Sequence, residues 1–111
     1  MMLDPFTKKR LEKILSLYID QKIPFHIRNE IRMSYKIRGN NVTLIEERPA
    51  FRSKEWVELD IAQFRLDDGK WKVYWKDSRN KWHFVEDIIP DESFETQLQI
   101  VDADDRGMFW G

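Results

Sequence analysis

Residues 62–85, AQFRLDDGKWKVYWKDSRNKWHFV, decide the fold of this chain. Apolar and polar side chains alternate through most of the stretch, which is the pattern of strands with one buried face. The pair Asp68-Gly69 predicts a two-residue hairpin turn, because glycine adopts the positive φ that such a turn requires. The segment therefore predicts an antiparallel meander with an aromatic core face.

The first turn fixes which side chains oppose each other in the leading hairpin. Residues that face each other in a ladder share a side of the sheet, so the pairs also assign the core face. The expected pairs are Leu66 with Trp71, Phe64 with Val73 and Ala62 with Trp75.

The second turn leaves two registers open. A four-residue turn at 77–80 pairs Trp75 with Trp82 and Val73 with Phe84, and this is the register we expect. A three-residue loop at 78–80 is the rival, and it places Trp75 opposite His83. A slip of one residue moves every side chain of the last strand to the other face.

Outward from the meander, the sequence predicts a helix at each end and one more hairpin. Asp4-Pro5 predicts the start of a helix that runs to about Lys22, because Asp caps free amides and Pro suits the first helical position. The alternating segments 31–38 and 42–47, joined by a turn at 39–41, predict two strands, and 56–66 predicts a longer one. From Asp91, after Pro90, helical spacing returns in an acidic segment.

These elements predict an α+β fold in a single domain spanning residues 1–111, with an antiparallel sheet of about five strands. The length suits one core, and the absence of cysteine excludes a disulfide scaffold and thiolate zinc sites. The first residues lack an apolar signal region and the apolar run 14–19 is too short to cross a bilayer, so we expect a cytoplasmic protein without a membrane partner.

The net charge of −1 conceals an uneven distribution. Residues 1–85 hold 18 of the 19 Lys and Arg and 12 of the 20 Asp and Glu, a net of +6, whereas residues 86–111 carry a net of −7. Such asymmetry indicates either a polyanion partner or a basic body that its own acidic tail covers.

The sheet face opposite the core is the main functional lead. Cations that can follow a phosphate backbone, with rings interleaved for stacking, predict binding of nucleic acid or another polyanion. A solvated face, or one covered by the acidic helix, is the alternative interpretation. If the expected alternation of side chains holds, Glu47 is the one carboxylate that lies among the cations on this face. The candidate binding residues are Arg32, Lys36, Arg38, Arg65, Lys72, Tyr74, Lys76, Lys81 and His83.

A second hypothesis is a protein-interaction domain that uses the acidic C-terminal segment and the aromatic ending. Phe109 and Trp110 are the candidate contacts for a protein partner or a second copy of the chain, because interface energy concentrates in aromatic residues. The same ending is also suited to packing into the core. Trp71, Trp75 and Trp82 are interpreted as core residues.

Enzymatic chemistry has the least support. The two histidines lie in different elements, and no Gly-rich phosphate loop or nucleophile elbow accompanies them. The one acid–base arrangement available is His83 beside Tyr74, with Glu86 or Asp77 as the acid. We expect no catalytic residue, no cofactor and no metal site.

One further pattern lies within 56–111 and consists of residues 62–65, Trp71, Tyr74-Trp75, Asp77, Arg79, residues 80–83, Asp104, Asp105, Gly107, Phe109 and Gly111. On these residues the stretch 56–111 resembles a family of small, mostly bacterial proteins catalogued as domain of unknown function 3024. The resemblance implies one small domain, and no activity, cofactor or catalytic residue comes with it.

Overall fold

Helix α1 (Pro5–Lys22) begins and ends as predicted in the computed structural model, which describes residues 3–52 and 54–110. Asp4 caps it by accepting a 2.9 Å hydrogen bond from the Thr7 amide, and this bond lowers the pKa of Asp4. Leu11 and Leu15 form its buried side. A short 3-10 turn, Phe25–Ile27, leads on to the sheet.

Five strands form one antiparallel sheet in chain order, which confirms the predicted α+β meander. Each strand pairs with the next one along the chain, so no crossover interrupts either face. The strands are β1 (Arg32–Arg38), β2 (Asn41–Pro49), β3 (Trp56–Asp67), β4 (Lys70–Lys76) and β5 (Trp82–Phe84).

The β3–β4 hairpin has the predicted register around its tight turn. Asp68 and Gly69 both have positive φ, 53° and 74°, as a two-residue hairpin turn of this kind requires. Leu66 faces Trp71 and Phe64 faces Val73, while the paired residues end at Gln63 and Tyr74, before the predicted pair of Ala62 with Trp75.

The β4–β5 hairpin has the rival register, so the expected four-residue turn is wrong. Trp75 faces His83, Tyr74 faces Phe84, and Lys76 faces Trp82. The loop is residues 78–80. Asn80 has φ 64°, and the Asp77 amide donates to the Lys81 carbonyl at 2.9 Å, the arrangement of a three-residue hairpin loop. Trp82 and Phe84 therefore lie on the side of the sheet away from the core.

A bulge in β3 changes the phase of its first half. Leu44 faces Ala62 but the next residue, Ile45, faces Asp60, so Ile61 is an extra residue without a partner in β2. An extra residue reverses the side on which preceding residues point. Trp56, Glu58 and Asp60 therefore lie on the same face of the sheet as the odd-numbered residues of the second half, such as Gln63 and Arg65.

Both helices lie on the same side of the sheet. Helix α2 (Phe94–Ala103) begins three residues later than predicted, because Ser93 caps it and Asp91 pairs instead with the backbone of Trp71. The Phe94 ring lies 4.8 Å from that of Phe64 and 5.1 Å from that of Trp71. Leu11 and Leu15 of α1 belong to the same buried cluster as these rings.

Polar groups fix the helices to each other and to the sheet. The Tyr18 hydroxyl of α1 donates to Asp102 of α2 at 2.7 Å, and Lys22 lies 2.9 Å from the same carboxylate. Burial, followed by the bond to Asp102, raises the pKa of Tyr18. The buried Gln97 amide donates to the carbonyls of Trp71 and Ile89 and so holds α2 against β4.

The chain after α2 folds back on the core. Asp104 ends the helix with φ 45°, and its carboxylate accepts hydrogen bonds from the amides of Met108, Phe109 and Trp110. Phe109 is buried, and the Trp110 indole donates to the Val101 carbonyl at 3.0 Å. The ending is thus part of the folded domain.

Candidate functional site

The outer face, defined as the side of the sheet opposite α1 and α2, carries most of the predicted binding residues. In the part of the chain that the structure describes, neither helix lies over it. Cross-strand pairing arranges its side chains in rows that run across the strands.

The basic row lies at the end of the sheet near the turns 39–40 and 68–69. Arg38, Asn41, Arg65 and Lys72 face one another in succession across β1 to β4. Neighbouring strands lie about 4.8 Å apart, so the row is roughly 14 Å long. Three of its four side chains are cations.

The aromatic row lies two residues further along each strand, roughly 7 Å from the basic row. It consists of Lys36, Thr43, Gln63, Tyr74 and Phe84 in cross-strand order. The Gln63 amide donates to the Thr43 hydroxyl at 2.9 Å, and the Phe84 ring is 39% exposed. The row thus joins hydrogen-bonding groups to rings open to solvent.

The other end of the outer face carries three carboxylates, contrary to the expectation that Glu47 alone opposes the cations. The bulge at Ile61 brings Glu58 and Asp60 to this face beside Glu47. Glu58 lies 3.3 Å from Lys36, and Asp60 lies 2.5 Å from Lys76. The face therefore has a basic end and an end where Lys36 and Lys76 are paired with carboxylates.

Lysines and arginines of the outer face have different partners. Lys36 is paired with Glu58 and Lys76 with Asp60. Lys72 lies 2.7 Å from Asp67, and the hydrogen bond between them raises the pKa of Lys72. No arginine of this face pairs with a carboxylate in residues 3–52 and 54–110. Arg32 stacks over Trp56, with 3.8 Å between the guanidinium carbon and the ring centroid, and Arg65 over Tyr74 at 3.9 Å.

A concavity of about 300 Å³ opens over the aromatic row and reaches the basic row on one side and Trp82 on the other. Its lining combines two cations, Lys36 and Arg38, and one carboxylate, Asp60, with the neutral polar residues Asn41, Thr43 and Gln63. The Trp82 indole forms one wall, and the Lys76 ammonium lies 5.3 Å from its ring centroid. Such a lining offers hydrogen-bond donors, positive charge and a flat ring to a bound molecule.

The structure brings together seven of the nine predicted polyanion-binding residues and separates two. His83 lies opposite Trp75, with 5.0 Å between the ring centres, and its Nε2 is 2.6 Å from an Asp77 oxygen. This bond, with amide bonds from Lys81 and Arg79, lowers the pKa of Asp77 to about 2. Lys81 flanks the same loop and alternates away from Trp82.

Sequence reasoning missed Trp82 and Phe84 as outer-face residues because it preferred the four-residue turn. The signal that could have found them is Asn80, because Asn tolerates the left-handed conformation that ends a three-residue hairpin loop.

The candidate partner contacts of the C-terminal ending are not free surface. Phe109 is 8% exposed, and Trp110 is half-buried, with the Lys22 ammonium 5.1 Å from its ring. A partner that used Phe109 would first have to withdraw it from the core. A partner role for this pair stays a prediction.

The described part of the chain, residues 3–52 and 54–110, lacks two features. Among these, no three His, Asp or Glu side chains come together as a metal site would need. No helix there has the length and apolar character to cross a membrane.

Fold and site together define a small α+β domain in which a five-stranded meander keeps one face clear of helices. The chain belongs to the family described as domain of unknown function (DUF3024), which matches residues 3–111. This confirms the resemblance found over 56–111 and extends it along nearly the whole chain. The comparisons with curated proteins and with solved structures each found no match.

Proposed function

We propose that this protein binds polyanions, nucleic acid first among them, through the basic end of its outer face, and that it does so in the cytoplasm. The observation that carries the proposal is the basic row, in which Arg38, Arg65 and Lys72 align across the strands. A polyanion gains affinity by exchanging its condensed counterions for such cations.

The partners of the arginines support the proposal further. Lysines held by carboxylates must break an ion pair before they contact phosphate, whereas Arg38 and Arg65 have no such pair within the described residues. Arg65 is already oriented by stacking on Tyr74 and by a 2.6 Å bond to the Gln63 side chain. The planar guanidinium also matches two phosphate oxygens at once.

The position of the acidic helix removes one competing interpretation. Helix α2 packs its buried residues Phe94, Leu98 and Val101 against the other side of the sheet. The acidic segment therefore does not cover the basic row. Beyond the basic row the lysines are already held, Lys36 by Glu58 and Lys76 by Asp60, so free positive charge is concentrated at the basic end and gives the bound polyanion a direction.

Fluorescence anisotropy of a short labelled oligothymidylate, at salt concentrations rising from about 50 mM, tests the proposal. We expect binding that weakens steeply with salt. The triple variant R38Q/R65Q/K72Q removes the three cations of the basic row, so it should bind less tightly and reduce the magnitude of the log–log salt slope by about 2, since each lost phosphate contact removes about 0.7 on single strands.

The matched control removes the same charge from the opposite side of the molecule. Lys8, Lys9 and Lys13 are exposed on α1, so K8Q/K9Q/K13Q changes the net charge equally and leaves the outer face intact. We expect this variant to bind much as the wild type does. Equal losses in the two triple variants, or no binding of the oligonucleotide at about 50 mM salt, would overturn the proposal.

A further inference from the structure

We infer that the polyanion is a single-stranded nucleic acid and that one unpaired base enters the concavity beside Trp82. This inference rests on the proposed function and adds to it the class of ligand and the place of its base. It is carried by the concavity of about 300 Å³ together with the two rows that border it.

The spacing of the rows favours a single strand. Phosphates on the basic row leave their bases to extend along the strands, roughly 7 Å to the aromatic row and roughly 14 Å to the level of Trp82. The bases of a duplex are stacked and paired inside the helix, so a duplex could contact the cations but not the rings. Unpaired bases are free to stack on exposed aromatic side chains.

The lining of the concavity offers a partner to each part of a nucleotide, and its one carboxylate, Asp60, is already paired with Lys76. Trp82 supplies a flat wall for the face of a base, and Arg38 connects the concavity to the basic row. The Asn41 side-chain amide has no hydrogen-bond partner among residues 3–52 and 54–110, and it can donate to and accept from a base edge. Thr43 and Gln63 bond to each other and close the floor.

The structure also explains why Trp82 is available. It lies in β5, on the outer face because of the three-residue loop 78–80, and it is only partly buried. Lys76, its neighbour across the ladder, is held by Asp60 at 2.5 Å, and its ammonium lies 5.3 Å from the ring centroid. Because the charge of Lys76 is already paired with Asp60, Lys76 is not counted among the phosphate contacts. The indole is thus left for stacking.

Binding of three probes at one salt concentration tests the inference: a single-stranded oligonucleotide, its duplex, and inorganic polyphosphate. We expect the single strand to bind more tightly than the duplex. W82A should weaken single-strand binding by roughly fivefold or more, the loss expected for one base–ring stack, and leave polyphosphate binding unchanged. Running the strand as DNA and as RNA assigns the sugar.

A fluorescence measurement keeps the test valid should W82A unfold. Stacking of a base quenches indole emission, so wild-type tryptophan fluorescence should fall on binding the single strand. W82F, which keeps a ring and should bind within a fewfold of wild type, should lose the quenching. W75F is the matched control, because Trp75 lies on the inner side of the sheet, stacked on His83, and should retain it.

The outcomes separate the inference from the proposed function. Equal affinity for single strand and duplex, with no effect of W82A and quenching that persists in W82F, overturns the inference and leaves polyanion binding standing. No binding of any of the three probes overturns both.

Discussion

The inner and outer faces of one sheet use the same kinds of side chain for different ends. On the inner face, Phe64, Trp71 and Phe94 pack ring against ring and are almost entirely excluded from water. On the outer face, Tyr74 and Trp82 lie beneath or beside cations and stay partly open. A ring covered by helices stabilises the fold, whereas a ring beside a cation on the open face stays within reach of a ligand.

Two one-residue irregularities produce this difference. The bulge at Ile61 sends Glu58 and Asp60 outward, and the loop at 78–80 sends Trp82 and Phe84 outward. Each changes the phase of a strand segment without changing the order of the strands. The chemistry of the outer face therefore depends on details that leave the topology untouched.

The largest expected effect comes from truncating one phenylalanine on each face. Phe64→Ala removes a ring with 0% exposure from the center of the core and should lower the free energy of unfolding by about 4 kcal/mol. Phe84→Ala removes a ring that is 39% exposed and should cost about 1 kcal/mol or less. Urea denaturation of both variants measures the difference between the two losses in the free energy of unfolding. Similar losses would mean that the Phe84 ring on the outer face contributes as much to stability as the Phe64 ring in the core.

A smaller loss is expected from the C-terminal ending. Phe109→Ala should lower the free energy of unfolding by about 3 kcal/mol, because the ring is buried against the core beside α2. Phe6→Ala, near the other terminus and 89% exposed, is the control and should change little. An unaltered thermal midpoint for Phe109→Ala would instead support the ending as a surface for a protein partner.

Much of the fold follows from local signals in the sequence. Asp4-Pro5 marks the start of α1, and Asp68-Gly69 fixes the β3–β4 register, because both act through the backbone of neighbouring residues. The bulge could not be predicted in the same way. Ile61 and Ala62 are both apolar and both buried, so the hydrophobic pattern gives no sign that Ile61 is an extra residue at which the alternation of side chains reverses.

The candidate site was predicted less completely than the fold for the same reason. The cations of β1 and β4 follow from alternation alone, and Arg38, Arg65 and Lys72 lie where it places them. The ion pair between Lys36 and Glu58 joins residues far apart in the chain and depends on the bulge. The place of Trp82 depends on one residue of loop length, which hydrophobic periodicity leaves undetermined.

The smallest expected effect tests the loop that puts Trp82 on the outer face. The carboxylate of Asp77 accepts hydrogen bonds from His83 and from two loop amides, and its pKa falls from the ordinary 3.8 to about 2. Because the folded pKa is lowered, this contribution to stability is present above about pH 4 and is lost as the pH falls toward 2.

Titration of the Asp77 carboxyl carbon by NMR should give a midpoint at about 2 in the wild type. His83→Ala removes the strongest of these bonds, so the midpoint should rise but stay below 3.8, held there by the amides. A wild-type midpoint near 3.8 would mean that the three-residue loop is open in solution, and the assignment of Trp82 to the outer face would then lose its support.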